Sequence, residues 1–328
     1  MPKVFVLSRS FGKFCEKALK IIEQIAEIER IPREKTIGEE DLLQTIKNAD
    51  AIIVGTERIG RKIIEHCRRL RMIAKHGVGI DNIDLRAATD RGIVVTYAPH
   101  ANAEAVADFT FGLIISIARR IPQAHFSTIH GMWEGPKFMG NEVYGKTIGI
   151  IGLGEVGYRV AKRAMGFNMN ILVYDPYVSS EKAREISAKV VSLEKLLRES
   201  DFVTLHVPLT NETRGMIGKK ELNLMKKTAY LINTSRGAIV NEKALYEALK
   251  EGKIAGAAID VYSKEPPDSD FPLFELNNVI MTPHIAAYTV EAMNRMDLTI
   301  AEDIIRFFKG EKPRYIANPE VIKNKEEK

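Results

Sequence analysis

The stretch from Lys146 to Asp175, KTIGIIGLGEVGYRVAKRAMGFNMNILVYD, limits the possible folds more than any other part of the chain. Thr147 to Ile151 is a short β-branched run of the kind that makes a strand buried on both faces of a parallel sheet. Gly152, Gly154 and Gly157 follow at once, and Val156, Val160, Ala161 and Ala164 then recur at helical spacing. Asn170 to Tyr174 reads as a second strand, ending at Asp175. Glycines at this spacing also close ordinary turns, so the match carries weight only through the strand before it and the helix after it.

Each residue type has a physical task in such a βαβ unit. Gly152 permits the sharp turn, Gly154 lets backbone approach a pyrophosphate, and Gly157 lets the helix pack closely on the sheet. The helix then offers an anion its free N–H groups and the positive end of its dipole. Asp175 can accept hydrogen bonds from a ribose diol and would repel a 2′-phosphate, which points to NAD rather than NADP.

A chain of 328 residues has room for two domains. With 45% hydrophobic and 28% charged residues it has the composition of a soluble globular protein, and no apolar run reaches membrane-spanning length. The start, MPKVFVLSRS, lacks the form of a signal peptide. Two cysteines, Cys15 and Cys67, are too few for a disulfide framework and suit a reducing cytoplasm. The net charge of +5 admits nucleic acid, but acidic and basic residues alternate, as in EKALKIIEQIAEIER, and no basic stripe forms. Solvated helix faces and a basin for small anions explain the charge better. The final KNKEEK reads as disordered.

Before Tyr97, strands are expected at Val4–Leu7, Ala51–Val54, Met72–Ala74 and Ile93–Thr96, with amphipathic helices between them, including Phe14–Ile28 and Leu42–Lys47. The second half repeats the pattern, with strands near Thr147, Ile171, Phe202, Ala229, Ile254 and Val279. Alternation of this kind gives parallel sheets covered by helices. No sequence repeat relates the halves, so two different doubly wound domains are expected. Asn102–Arg119 is apolar almost all round and reads as a buried helix capped by Asn102. Val290, Met293, Ile300, Ile304 and Phe307 make a helical stripe that stops at Gly310. Long helices at both junctions let the chain leave the first domain and return to it, so the nucleotide domain is inserted into the other.

Three segments bring chemistry to strand ends of the second half, where ligands of open α/β sheets bind. LINTSRGAIV places Arg236 after a strand; AAIDVYSKEPP places Asp260 at a strand end and Glu265 in the next loop; NNVIMTPHIAAYT places His284 behind Pro283. An Arg, a Glu and a His delivered there form a plausible active site with no metal and no nucleophile.

The segments GIIGLGEVG, LINTSRG, DVYSKEP and TPHIAA, in this order, resemble the D-isomer-specific 2-hydroxyacid dehydrogenase family, and KHGVGIDNID and ANAEAVADFTFGLIISIARR resemble its N-terminal pattern. MWEGPKFMGNEVYGKTIGIIGLG is similar to phosphoglycerate dehydrogenases of the short type. The resemblance implies an α/β protein of two doubly wound parallel-sheet domains: a Rossmann NAD-binding domain at 101–287, inserted into a flavodoxin-like substrate domain formed by 1–100 plus 288–328.

It implies an NAD-dependent oxidoreductase acting on a small 2-hydroxy or 2-oxo acid, D-3-phosphoglycerate in the first reading and glyoxylate or hydroxypyruvate in the second. His284 would exchange a proton with the substrate oxygen, Glu265 would orient its ring, and Arg236 would clamp the substrate carboxylate. Gly77, Val78 and Gly79 would offer an anion nest, with closure of the two lobes over the cofactor. The cofactor pattern carries onto Gly152, Gly154, Glu155, Val156, Gly157, Asp175, Val207, Pro208, Thr234, Ser235 and Asp260, the last beside the nicotinamide carboxamide.

Trp133 would anchor a homodimer. His76 and His206 are expected to be neutral, hydrogen-bonded core residues, and His100, His125 and His130 structural or surface ones.

Two departures stand out. Glu155 occupies a position where the family often has Arg, so it either repels a pyrophosphate or turns to solvent. Gly55-Thr56 stands where many phosphoglycerate dehydrogenases have Arg-Ser, leaving Arg58, Lys75 and His76 as candidate phosphate ligands. A reading from another class is an NAD-sensing corepressor-like protein that binds peptides on its first domain. The chain offers no recruitment segment to support it.

Overall fold

The computed structural model describes residues 1–31 and 38–322. The KNKEEK tail lies outside the described residues. The chain divides into two compact units, Met1–Asn102 with Tyr288–Lys328, and Ala103–Ala287. The first join falls two residues later than the sequence suggests: the Ala101 carbonyl accepts from Arg295 Nε at 2.9 Å, which ties it to the first unit.

The first unit alternates β1 (Lys3–Val6), α1 (Glu16–Glu23), β2 (Glu27–Arg30), α2 (Glu39–Ile46), β3 (Ala51–Val54), α3 (Arg61–His66), β4 (Met72–Lys75), α4 (Leu85–Asp90) and β5 (Val94–Thr96). Its sheet is parallel, with order β2-β1-β3-β4-β5, the flavodoxin-like arrangement. β3, β4 and β5 are buried throughout, as continuous apolar runs in a parallel sheet must be.

One expectation fails here. The helix over Phe14–Ile28 ends at Glu23, and Glu27–Arg30 is an edge strand paired with β1. Its EIER sequence is exposed apart from a half-buried Ile28, so backbone pairing rather than side-chain burial holds it. The returning C-terminal segment completes this unit. Ala317 N–H bonds the Val95 carbonyl at 2.7 Å, and buried Asn318 accepts from Val95 N–H at 2.8 Å.

The second unit holds α5 (Ala103–Arg119), α6 (Ile121–Ile129), β6 (Thr147–Ile151), α7 (Glu155–Gly166), β7 (Asn170–Tyr174), α8 (Ser180–Glu185), β8 (Lys189–Val190), α9 (Leu193–Glu199), β9 (Phe202–Leu205), α10 (Lys219–Leu224), β10 (Tyr230–Asn233), α11 (Glu242–Lys250), β11 (Gly256–Ile259) and β12 (Val279–Met281). All pairings are parallel, and the order is β12-β11-β10-β9-β6-β7-β8. Strand order reverses between β6 and β9, which is the switch point where a Rossmann sheet takes its ligand. One apolar core lies on each face of the sheet, and α5 packs into one of them through Phe111, Ile114 and Ile117. The last helix, α12 (Val290–Phe308), belongs to the first unit; Met293, Ile300 and Ile304 are buried, and Gly310, with φ 79°, ends it.

Candidate active site

The glycine turn is built as its sequence requires. Gly152 has φ 93°, and a Cβ there would meet the His206 backbone at 2.8 Å. At Gly157 a Cβ would stand 2.1 Å from the Gly152 carbonyl oxygen, so only glycine lets α7 lie this close to β6. Gly154, the N-cap of α7, has nothing within 4 Å of the equivalent point, which leaves open space in front of the helix N-terminus. The Asp175 carboxylate follows β7 and braces the turn. Oδ2 accepts from Leu153 N–H at 2.7 Å and Oδ1 from Tyr177 N–H at 2.8 Å. Each oxygen keeps a second lone pair, enough for a diol. Open space, oriented N–H groups and a braced acid fit a dinucleotide.

Glu155 resolves the first departure. It turns back along its own helix, and Arg159 Nη1 donates to its Oε2 at 2.6 Å. Its charge is thus partly met by a residue one turn on, which Glu104 also pairs at 2.7 Å.

The loops after β9, β10, β11 and β12 converge. After β9, Val207 and Pro208 lead away, and the Val207 carbonyl accepts from Ser235 Oγ at 2.5 Å. Burial pushes the His206 imidazole down to about 3, so it is neutral; Nε2 pairs with Thr204 Oγ1 at 2.9 Å. After β10, the Thr234 hydroxyl meets Thr110 Oγ1 at 3.0 Å; Thr110 already donates to Val106, so Thr234 is the donor. Asn233 braces the turn to Arg236, accepting from Ser235 N–H at 3.1 Å and donating to the Arg236 carbonyl at 2.9 Å. Gly237 packs against the next loop so tightly that a Cβ would lie 2.0 Å from the Tyr262 carbonyl carbon. That contact sets Arg236 beside the Glu265 loop.

Glu265 and His284 meet. Glu265 Oε2 lies 2.7 Å from His284 Nδ1, and Oε1 accepts from Tyr262 N–H at 3.1 Å. Burial alone would raise the Glu265 pKa; the His284 hydrogen bond and the His284 and Arg236 charges outweigh it and hold the carboxyl below its ordinary range. A carboxylate on Nδ1 leaves Nε2 as the nitrogen that can exchange a proton with a ligand. His284 takes the left-handed conformation, φ 55°, which costs a non-glycine residue about 1–3 kcal/mol unless its surroundings enforce it.

Asp260 supplies that enforcement. It is fully buried, and both oxygens are engaged by the His284 loop: Oδ1 accepts from Thr282 Oγ1 at 2.6 Å and Ile285 N–H at 2.9 Å, and Oδ2 from Ala286 N–H at 2.9 Å. Sequence reasoning assigned Asp260 to the carboxamide; it missed this bracing role, along with those of Asn233 and Thr110. A strand-end polar residue next to an irregular loop was the available signal.

In the first unit, Gly77 N–H bonds the Lys75 carbonyl and Ala98 N–H bonds the Gly77 carbonyl, each at 2.9 Å. Among the described residues, no backbone carbonyl accepts from Val78 or Gly79 N–H. Those donors suit an anion. The candidate phosphate ligands fare differently. Lys75 is buried, and Nζ bonds the Gly55 carbonyl and Asn82 Oδ1. His76 is buried, its Nδ1 hydrogen-bonded to the Ser8 hydroxyl and its Nε2 2.7 Å from Asp297 Oδ1 inside the fold, so it is no phosphate ligand. Arg58 is exposed.

A Rossmann sheet with this glycine turn, in one chain with a flavodoxin-like sheet, defines a two-domain dinucleotide-binding protein. The chain belongs to the D-isomer specific 2-hydroxyacid dehydrogenase family, whose NAD binding domain matches residues 111–286. It is 46% identical over 306 residues to the D-3-phosphoglycerate dehydrogenase of Methanocaldococcus jannaschii, covering 92% of this chain but 57% of that protein. It thus spans little more than half the length of that relative. A glyoxylate reductase of Korarchaeum cryptofilum is 44% identical, covering 98% of this chain and 97% of that one. The solved structure of D-lactate dehydrogenase from Aquifex aeolicus, complexed with NAD and lactic acid, superposes with a TM-score of 0.83 at 29% identity and 98% coverage of each chain.

Proposed function

We propose that the protein is an NAD-dependent dehydrogenase that interconverts a D-2-hydroxy acid and its 2-oxo acid. The observation that carries this reading is the His284–Glu265 pair at 2.7 Å, set at strand ends of a Rossmann sheet with Arg236 on the adjoining loop. Bound NAD would supply the hydride acceptor, and NADH the donor. Gly152, Gly154, Val156 and Gly157 would cradle its pyrophosphate and Asp175 its ribose. Val207, Pro208, Thr234, Ser235 and the spare lone pair of Asp260 would surround its nicotinamide half.

In reduction, His284 Nε2 gives a proton to the substrate oxygen as the carbonyl becomes a hydroxyl; in oxidation it takes that proton back. Glu265 keeps the ring in the required tautomer. Arg236 grips the substrate carboxylate with a planar fork of donors. In the first unit, the Val78 and Gly79 N–H groups offer an anion site of their own. The reading predicts that His284→Ala lowers turnover about 10²–10⁴-fold while leaving NADH binding intact. Retained turnover would remove the proton-transfer role.

D-3-phosphoglycerate is the first substrate to test. Glyoxylate or hydroxypyruvate is favoured by a separate observation: Lys75 and His76, two of the three candidate phosphate ligands, are engaged inside the fold. Saturation by phosphoglycerate with NAD, set against glyoxylate with NADH, separates the two. Turnover of neither would return the corepressor-like reading. The exposed apolar side chains of Phe126, Ile129, Met132 and Trp133, the last 91% exposed, support a homodimer. Among the described residues no helix is long and apolar enough to cross a membrane, which accords with a cytoplasmic site of action.

A further inference from the structure

The first unit contains a polar constellation that the proposed reaction does not use. Ser8 and Ser10 follow β1, His76 follows β4, and Asp297 lies on α12. His76 Nδ1 is 3.1 Å from Ser8 Oγ and 3.2 Å from Ser10 Oγ, while Nε2 is 2.7 Å from Asp297 Oδ1. The other Asp297 oxygen accepts from Gly12 N–H at 3.0 Å, and the Phe11 ring meets the imidazole edge-on at 5.5 Å. Ser8, His76 and Asp297 are buried; Ser10 is half-buried.

The two sides of the ring differ: Nδ1 hydrogen-bonds the Ser8 and Ser10 hydroxyls, whereas Nε2 and Asp297 Oδ1 lie in close contact without hydrogen-bond geometry. The composition matches a hydrolytic triad, but Ser8 is 5% exposed and the ring is sealed by Phe11, which leaves no room for an acyl substrate. What the cluster does is lock one imidazole from two sides, and the next three residues are Gly77, Val78 and Gly79. A loop with two glycines has little rigidity of its own.

We infer that His76 is a positioning residue. Its ring, held between Asp297 of α12 and the serines behind β1, fixes the Gly77–Gly79 loop so that its N–H groups present a preformed anion site. The inference rests on the reading of that loop as the carboxylate site. Preorganised donors lower the ordering cost of binding, so the lock acts on affinity for the 2-oxo acid and not on the hydride step.

The test compares wild type with His76→Gln and Ser10→Ala in the full chain, the second change lying at a half-buried site that should fold even if the first does not. Hydrogen–deuterium exchange at the Gly77 N–H, bonded to the Lys75 carbonyl, and the Ala98 N–H, bonded to the Gly77 carbonyl, should quicken about tenfold in His76→Gln, with β1 and β3 still protected. KM for glyoxylate should rise about tenfold, and about threefold in Ser10→Ala, while KM for NADH and kcat stay within about twofold. Exchange at Gly77 and Ala98 that matches wild type in both variants overturns the inference. So does loosening spread evenly over the five-stranded sheet with kcat falling and both KM values rising together, the mark of a merely structural role. A wild-type protein that reduces no 2-oxo acid would instead overturn the proposed function, and exchange would still judge the lock.

Discussion

Replacing Asp260 with Asn tests whether the active-site histidine is held in place from beneath. The carboxylate receives three donors: the Thr282 hydroxyl at 2.6 Å and the Ile285 and Ala286 N–H groups, both at 2.9 Å. An amide keeps one acceptor oxygen and turns an NH2 toward the remaining donor. A buried donor left unmet costs about 1–3 kcal/mol, and the two surviving bonds lose their charge assistance. The sum is about 2–4 kcal/mol, which in a unit of this size lowers the melting temperature by roughly 5–15 °C. The slackened loop carries His284 with it, and a displacement of about 1 Å at a reacting group costs on the order of 10²-fold in rate. Thermal melting, kcat and a fluorescence titration of NADH would be measured on the same preparation. The bracing argument requires kcat and melting temperature to fall while NADH affinity changes little. If Kd for NADH rises a hundredfold with melting temperature and kcat near wild type, Asp260 serves the cofactor alone and does not brace the loop.

Two further outcomes follow from the site. Because the Glu265 pKa is depressed in the folded state, its ionised form and the stability it contributes are present at neutral pH and disappear only as pH falls through that depressed value. The acid limb of kcat/KM that depends on this residue should accordingly lie below the ordinary glutamate range and vanish in Glu265→Gln; a Glu265-dependent limb above that range would contradict the sign. Glu155→Arg should tighten NADH binding about threefold to tenfold at low salt, with the gain fading as ionic strength rises, although the new cation sits unfavourably at a helix N-terminus and beside Arg159. Unchanged affinity at low salt would mean that position 155 does not sense the cofactor's charge.

What was legible in the sequence follows from what leaves a local trace. Strands β3, β4, β9 and β11 are buried along their whole length, so composition alone announces them. The glycine turn announces itself because steric exclusion at Gly157 is absolute, a Cβ there standing 2.1 Å from an oxygen. Edge strands β2 and β8 leave no such trace, since ladder hydrogen bonds hold them and their side chains face solvent; β2 was absorbed into the preceding helix for that reason. Arg236, Glu265 and His284 stand out as chemically capable residues at strand ends, and the structure puts Glu265 on His284. The Asp297 network could not be read, because Asp297 and the Gly12 N–H it receives are 285 residues apart.

A common device underlies both units. Loops at the carboxyl ends of strands turn sharply and leave N–H groups without sheet partners, and burying such donors unmet is costly. In this chain side-chain acceptors meet them: Asp175 takes Leu153 and Tyr177, Asp260 takes Ile285 and Ala286, and Asn233 takes Ser235. In the first unit Asp303 does the same for the segment that follows α12, taking Arg314 at 2.7 Å and Tyr315 at 3.2 Å. Asp303 shows the expense: burial raises its pKa despite those two bonds. It also shows that a buried acid is not by itself a sign of catalysis, since α12 positions it to brace backbone. The residues that touch substrate in the proposed reaction, Arg236 and His284, are themselves held by neighbours of this kind, Asn233 and Asp260. Their precision therefore depends on acceptors that do no chemistry, and a substitution one layer below the site should cost rate without removing any group that reacts.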